Sequence, residues 1–140
     1  MNDLLPFLMQ HWVIALLFVV VLAAIFAEEY RSHTGGGARL EPQQAVERMN
    51  HEDAVVVDLR SSEAFKKGHI INSINIAAND LTANMAKLEK YKDKSLIFVC
   101  QQGAHSSKAV LQLKKQGFSK LYLIGGGIEA WKRDNLPLVN

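Results

Sequence analysis

The sequence predicts an α/β protein, with a mainly parallel sheet flanked by helices and preceded by a single transmembrane helix. Three observations predict it. Short apolar, partly β-branched runs alternate with helix-like runs, in the order strand, helix, strand, helix. The strand runs are bounded by glycine or polar residues and apolar throughout, as expected of strands buried on both faces. The chain also opens on a long stretch, Leu4 to Ala27, without a single Lys, Arg, Asp or Glu. A chain of 140 residues has room for one modest domain and an appendage.

The appendage comes first. From Trp12 the run WVIALLFVVVLAAIFA is unbroken by any polar residue, and a helix over Leu4–Ala27 at about 1.5 Å per residue matches a hydrocarbon core of ~30 Å. Residues 1–30 therefore read as an N-terminal membrane anchor. A buried core helix and a cleaved signal peptide are the competing readings. The second lacks a basic leader, because only Asp3 precedes the run, and the position three before a cut at Ala27 holds the bulky Ile25. Arg31 and Arg39 follow the span and no cation precedes it, which orients the rest of the chain toward the cytoplasm from an inner-membrane, single-pass anchor. A single free cysteine suits that reducing compartment.

Residues 31–40 include Gly35-Gly36-Gly37 among small polar residues and read as a flexible linker. The domain then occupies residues 41–140. Pro42 suits the first position of a helix over residues 43–49, and Ala54-Val55-Val56-Val57 is a buried strand. A short helix over residues 62–67 ends at Gly68, residues 70–76 form an extended segment, and Asp80 is placed to cap a helix over residues 81–88. Ser95–Val99 is the next strand, followed by a helix to Gly117; Leu121–Ile124 is the last strand, and Gly125-Gly126-Gly127 leads into a helix over residues 128–133.

Residues 35–140 carry 15 Lys/Arg and 11 Asp/Glu, a mild cationic excess spread along the chain. The densest group, Lys87, Lys90, Lys92 and Lys94, reads as a solvated face, with attraction to anionic lipid headgroups as the minority reading. Nothing indicates nucleic-acid binding. No ligand-like spacing relates Cys100, His69 and His105, so no metal is expected. The glycine triplet lacks the lysine of a phosphate-binding loop and the spacing of a dinucleotide fingerprint, so no cofactor is expected either.

The chemistry concentrates in Cys100-Gln101-Gln102-Gly103-Ala104-His105-Ser106. This loop follows a strand and opens into a helix N-terminus. Unpaired amides and the helix dipole there favour negative charge, so a thiolate on Cys100 is stabilised and reactive. A lone cysteine is otherwise most often a small buried hydrophobe. Here two glutamines and a glycine follow it directly, and a succession of N–H groups can form a concave anion cradle.

The pattern Cys-x-x-Gly-x-[Arg]-Ser resembles the active-site loop of rhodanese-like domains, sulfurtransferases that carry sulfur as a cysteine persulfide. Val56-Val57-Asp58-Leu59-Arg60 is similar to that family's strand ending in Asp-x-Arg. Glu63, Phe65, Gly68-His69-Ile70 and Ser73-Ile74-Asn75-Ile76 follow it, and Gly125–Trp131 with Leu136–Val139 resembles the domain's C-terminal end. An apolar span before one such domain resembles the bacterial membrane-anchored rhodaneses of the YibN type. The resemblance implies a catalytic Cys100, with Gln101, Gln102, Gly103, Ala104, His105 and Ser106 around the substrate. The partners it implies are a small sulfur donor and a thiol acceptor or partner protein.

His105 stands where many active members of that family place arginine. A bidentate guanidinium clamp for thiosulfate is therefore absent, which weighs against thiosulfate more than against persulfide chemistry. Phosphate-monoester chemistry needs arginine as the sixth residue after the cysteine, where this chain has Ser106. Asp58 and Arg60 are candidates for site support, although a structural ion pair explains them as well, and His69 reads as structural. The alternative reading of the whole chain is a catalytically weak domain that serves as a membrane-tethered interaction module.

Overall fold

A computed structural model describes residue 7, residues 9–35 and residues 37–140. The described residues fall into two compact units, divided between Thr34 and Gly35. The first contains one 24-residue helix, α1 (Trp12–Gly35). Its large apolar side chains, Trp12, Phe18 and Phe26 among them, are exposed. Among the described residues no helix is long and apolar enough to cross a membrane, so the expected span is not shown by the structure; its first residues, 4–6 and 8, lie outside the described ones.

The second unit is built on a five-stranded sheet in the order β1-β5-β4-β2-β3, every ladder of which is parallel. Its strands are β1 (Ala38–Leu40), β2 (Val55–Asp58), β3 (Ile74–Asn75), β4 (Leu96–Val99) and β5 (Leu121–Ile124). The helices are α2 (Pro42–His51), α3 (Ser62–Lys66), α4 (Met85–Glu89), α5 (Ser106–Lys115) and α6 (Gly127–Arg133), with a 3₁₀ turn at Ala78–Asp80. The parallel sheet flanked by helices follows the sequence expectation.

Two local differences have physical causes. Residues 31–40 are not all linker: α1 continues to Gly35, and Ala38–Leu40 pairs with Tyr122–Ile124 as an edge strand. Pairing to a preformed sheet edge and burial of Leu40 outweigh the local weakness of a glycine-rich stretch. The expected helix over residues 81–88 is broken, with α4 confined to Met85–Glu89. The Asn84 side chain donates to the Asp80 carbonyl at 2.8 Å, a local bond that competes with continued helix.

β4 explains the core. Leu96 and Phe98 pack on one face with Val57, Leu59, Ala109, Val110 and Leu113, whereas Ile97 and Val99 pack on the other with Val56, Ala45, Ile128 and Trp131. The period of two along a strand sends successive apolar side chains into cores on opposite faces, which is why β4 reads as a continuous apolar run. Cys100 continues this alternation on the α5 face. β4 is the middle strand, and the chain leaves β2 toward one edge but β4 toward the other. The carboxyl ends of β2 and β4 thus flank the topological switch point, where open parallel sheets form clefts.

Candidate active site

A cleft of about 360 Å³ opens at that switch point, lined by Leu59, Arg60, Ser61, Ala64, Ala77, Ala78, Asn79, Cys100, Gln101 and His105. Cys100 forms its floor at 2 % exposure, and the Gly103 N–H donates to its Sγ at 2.9 Å. An amide aimed at sulfur from so close suits a negatively charged sulfur. Gly103 adopts φ +92°, a left-handed conformation that glycine adopts without steric cost and that turns its amide back over the cysteine.

The loop is held from below by α6. The Ile128 N–H donates to the Cys100 carbonyl at 2.8 Å, and the Glu129 N–H to the Gln101 carbonyl at 3.3 Å. Gly127 permits this approach, because at φ +61° a Cβ there would lie 2.1 Å from the Cys100 oxygen and 2.9 Å from the Gln101 carbonyl. The Gln101 amide also donates to the Glu129 carboxylate. Sequence reading takes the glycine triplet as a turn and helix start, which is correct but incomplete. Neither the backbone docking nor Glu129 is visible without knowing that α6 begins beside the cysteine loop.

The expected site residues separate into groups. Cys100, Gln101 and His105 line the cleft, and Gly103 touches the sulfur through its amide. Gln102 and Ala104 are exposed and do not line the cleft; Ser106, the first residue of α5, is fully buried. Ser61 and Asn79, which the sequence did not single out, contribute polar groups to the wall. Ser61 Oγ caps α3 by accepting from the Ala64 N–H at 3.3 Å, which leaves its own hydroxyl proton to donate.

Asp58 and Arg60 form a buried ion pair. Arg60 Nη2 lies 2.8 Å from Asp58 Oδ2 and also donates to the Gly68 carbonyl at 2.7 Å, while Nε reaches both carboxylate oxygens. Asn75 Nδ2 donates to the carbonyls of Asp58 and Arg60. The pair therefore pins the end of β2 to the chain at Gly68 and to β3. Arg60 borders the cleft, but its guanidinium is engaged with these partners. His69 lies outside the cleft lining, stacked on Phe65 with ring centroids 3.8 Å apart and bonded through Nδ1 to the Phe65 carbonyl. Among the described residues no three His, Cys, Asp or Glu side chains converge as metal ligands would.

A parallel sheet with a buried cysteine at the end of its middle strand, beneath a short amide-bearing loop, defines the class. The chain belongs to the rhodanese-like family, whose domain matches residues 41–134. Over 140 residues it is 34% identical to the uncharacterized protein YibN of Escherichia coli K12, covering 99% of this chain and 98% of that one. Over 94 residues it is 35% identical to the thiosulfate sulfurtransferase GlpE of Pseudomonas savastanoi pv. phaseolicola, covering 67% of this chain and 86% of that protein. Among solved structures, a rhodanese-related protein from Thermoplasma volcanium superposes with a TM-score of 0.66 at 28% identity, covering 73% of this chain and 97% of that one.

Proposed function

We propose that the protein is a sulfurtransferase that accepts sulfane sulfur as a persulfide on Cys100 and passes it to a thiol acceptor. The observation that carries this reading is the Gly103 amide donating to the buried Cys100 sulfur at the floor of an open cleft. In the first half-reaction the thiolate attacks the outer sulfur of the donor. The donor's sulfur–sulfur bond breaks, and its electron pair departs with the leaving thiolate or sulfite. In the second, an acceptor thiolate attacks the outer sulfur of the Cys100 persulfide and restores the thiolate of Cys100. With no other cysteine in the chain, the acceptor comes from outside it.

The lining also bears on donor choice. Arg60 is its one Lys or Arg, and that guanidinium is already paired with Asp58; His105 is the remaining side chain there able to become a cation. This composition favours persulfide donors over the dianion thiosulfate, which gains most from a free guanidinium. Residues 1–30 anchor the domain at the inner membrane as a single span, with residues 41–140 in the cytoplasm. The uncharged run Leu4–Ala27 and the exposed apolar side chains of α1 support this part; alkaline extraction of membranes and a protease-protection assay test it.

Intact-mass measurement of the full chain in detergent tests the chemistry. Wild type and Cys100→Ser are each incubated with thiosulfate or glutathione persulfide, before and after a reductant. Gain of one sulfur atom by wild type alone, removed by reductant, supports transfer through Cys100. No gain from any donor refutes it in favour of an interaction module tethered at the membrane.

A further inference from the structure

Every ladder of the sheet is parallel, so the residues that lead into its strands lie together at the end opposite the cysteine cleft. Hydrogen bonds fix that row: the Val55 N–H donates to the Ser95 carbonyl at 2.8 Å and the Leu96 N–H to the Lys120 carbonyl at 2.9 Å. Gly37, through which the chain enters β1, packs beside the start of β5, where an added Cβ would lie 2.9 Å from the Leu121 oxygen. Residues 90–95 and 114–120 lead into β4 and β5. They hold Lys90, Lys92, Lys94, Lys114, Lys115 and Lys120 with a single acid, Asp93. All of these lysines but the half-buried Lys92 are exposed. The two segments meet: Lys92 Nζ stands over the Phe118 ring, 5.6 Å from its centroid, and Lys120 Nζ donates to the Asp93 carbonyl at 3.3 Å. Lys92 also pairs with Glu89 and Lys94 with Asp53. Six lysines against Asp93, Glu89 and Asp53 leave an excess of three positive charges on this face.

We infer that this basic face docks on anionic headgroups of the bilayer that holds residues 1–30, so that the cysteine cleft opens away from the membrane into the aqueous phase. The inference rests on the proposed anchor and adds an orientation to it. The charges are complementary, because a cytoplasmic leaflet carries anionic lipid and attracts each lysine held near its surface. So small an excess binds a free domain weakly. Only residues 28–37 separate the uncharged run from Ala38, however, and so short a link keeps the domain at high effective concentration beside the bilayer, where a weak attraction suffices. The entry point supplies the direction: Gly37 lies beside Leu121, the residue after Lys120, so the chain joins the domain at its basic end. Exposed ion pairs such as Lys92–Glu89 and Lys94–Asp53 are weak in water, which leaves both ammonium groups able to turn toward phosphates. The cleft end offers no equivalent, since the one Lys or Arg of its lining is paired with Asp58. The substrates this orientation admits to Cys100 are water-soluble persulfides and thiols.

The test places the full chain in nanodiscs of phosphatidylcholine alone or with about 30 mol % phosphatidylglycerol, at about 50 mM and about 500 mM NaCl. Lysines are acetylated briefly with an N-hydroxysuccinimide ester, and each is followed by peptide mass spectrometry. Docking expects Lys92, Lys94 and Lys120 to react at least about threefold more slowly in the anionic discs at low salt, with the protection lost at high salt. Lys108, in the first turn of α5 at the cleft end, should react equally in both lipids. The variant K90E/K115E/K120E, altered only at exposed positions outside the cleft, should keep its thermal midpoint in detergent and lose the protection of Lys92 and Lys94. Equal reactivity in the two lipids overturns the docking, as does equal protection of Lys108 or protection that survives the triple substitution. Co-elution of chain and discs at high salt reads the anchor separately. If the chain leaves the discs there, the anchor reading has failed, and flotation of wild type and triple variant with anionic vesicles at low salt decides the basic face by itself: binding by wild type alone supports it, and equal binding or none overturns it.

Discussion

Replacing Gly127 by alanine should separate the active loop from its support. The added Cβ would sit 2.1 Å from the Cys100 oxygen and 2.9 Å from both the carbon and the oxygen of the Gln101 carbonyl. All three are backbone atoms, so no side-chain rotation relieves the clash and the two segments must move apart. The backbone at φ +61° adds about 1–2 kcal/mol for a residue with a Cβ. Separation weakens the Ile128-to-Cys100 and Glu129-to-Gln101 hydrogen bonds, each worth about 0.5–1.5 kcal/mol. Together these give a loss of about 2–5 kcal/mol. At about 4–8 °C per kcal/mol for a domain of this size, the midpoint should fall by about 8–40 °C. Gly125→Ala is the internal control, since a Cβ there meets nothing nearer than the Leu40 oxygen at 3.6 Å and should cost no more than about 0.5 kcal/mol. Thermal and urea unfolding of both variants, with persulfide loading measured on the folded fraction, reads the contrast. Equal stability of G127A and G125A, or wild-type loading by G127A, would refute the account of how the cysteine loop is held.

Cys100→Ser should abolish sulfur loading while shifting stability by about 1 kcal/mol or less in urea unfolding, because the two side chains differ little in size. Arg60→Ala should cost about 3–5 kcal/mol, since it leaves the fully buried Asp58 carboxylate without its partner; the double variant D58N/R60M should recover part of the loss, checked by the same titration. His105→Arg supplies a permanent cation at the cleft wall and should raise kcat/KM for thiosulfate roughly tenfold, with little change for a persulfide donor; steady-state kinetics with both donors read the ratio. Leu113→Ala, at a fully buried α5 position packed in the Cys100 cluster, should cost about 2–5 kcal/mol by thermal unfolding.

The sequence by itself determined the fold class and the position of Cys100. Apolar runs such as Leu96–Val99 and Val55–Val57, continuous because both sheet faces are covered, and the helix-like run after Ser106, patterned at period 3.6, are local signals. Local pattern also supplied the resemblance that placed Cys100 in a reactive loop. Only the tertiary structure decided which neighbours that loop acquires. The edge strand Ala38–Leu40 exists because β5 offers it a partner 84 residues further along, a pairing without a local signal. The seating of Cys100 and Gln101 on Ile128 and Glu129 joins segments far apart in the chain. Burial of Ser106 likewise follows from the docking of α5 beside Cys100. Residue type limits what each of these groups can bond to, but which bonds form depends on the distances that packing the sheet and helices together creates.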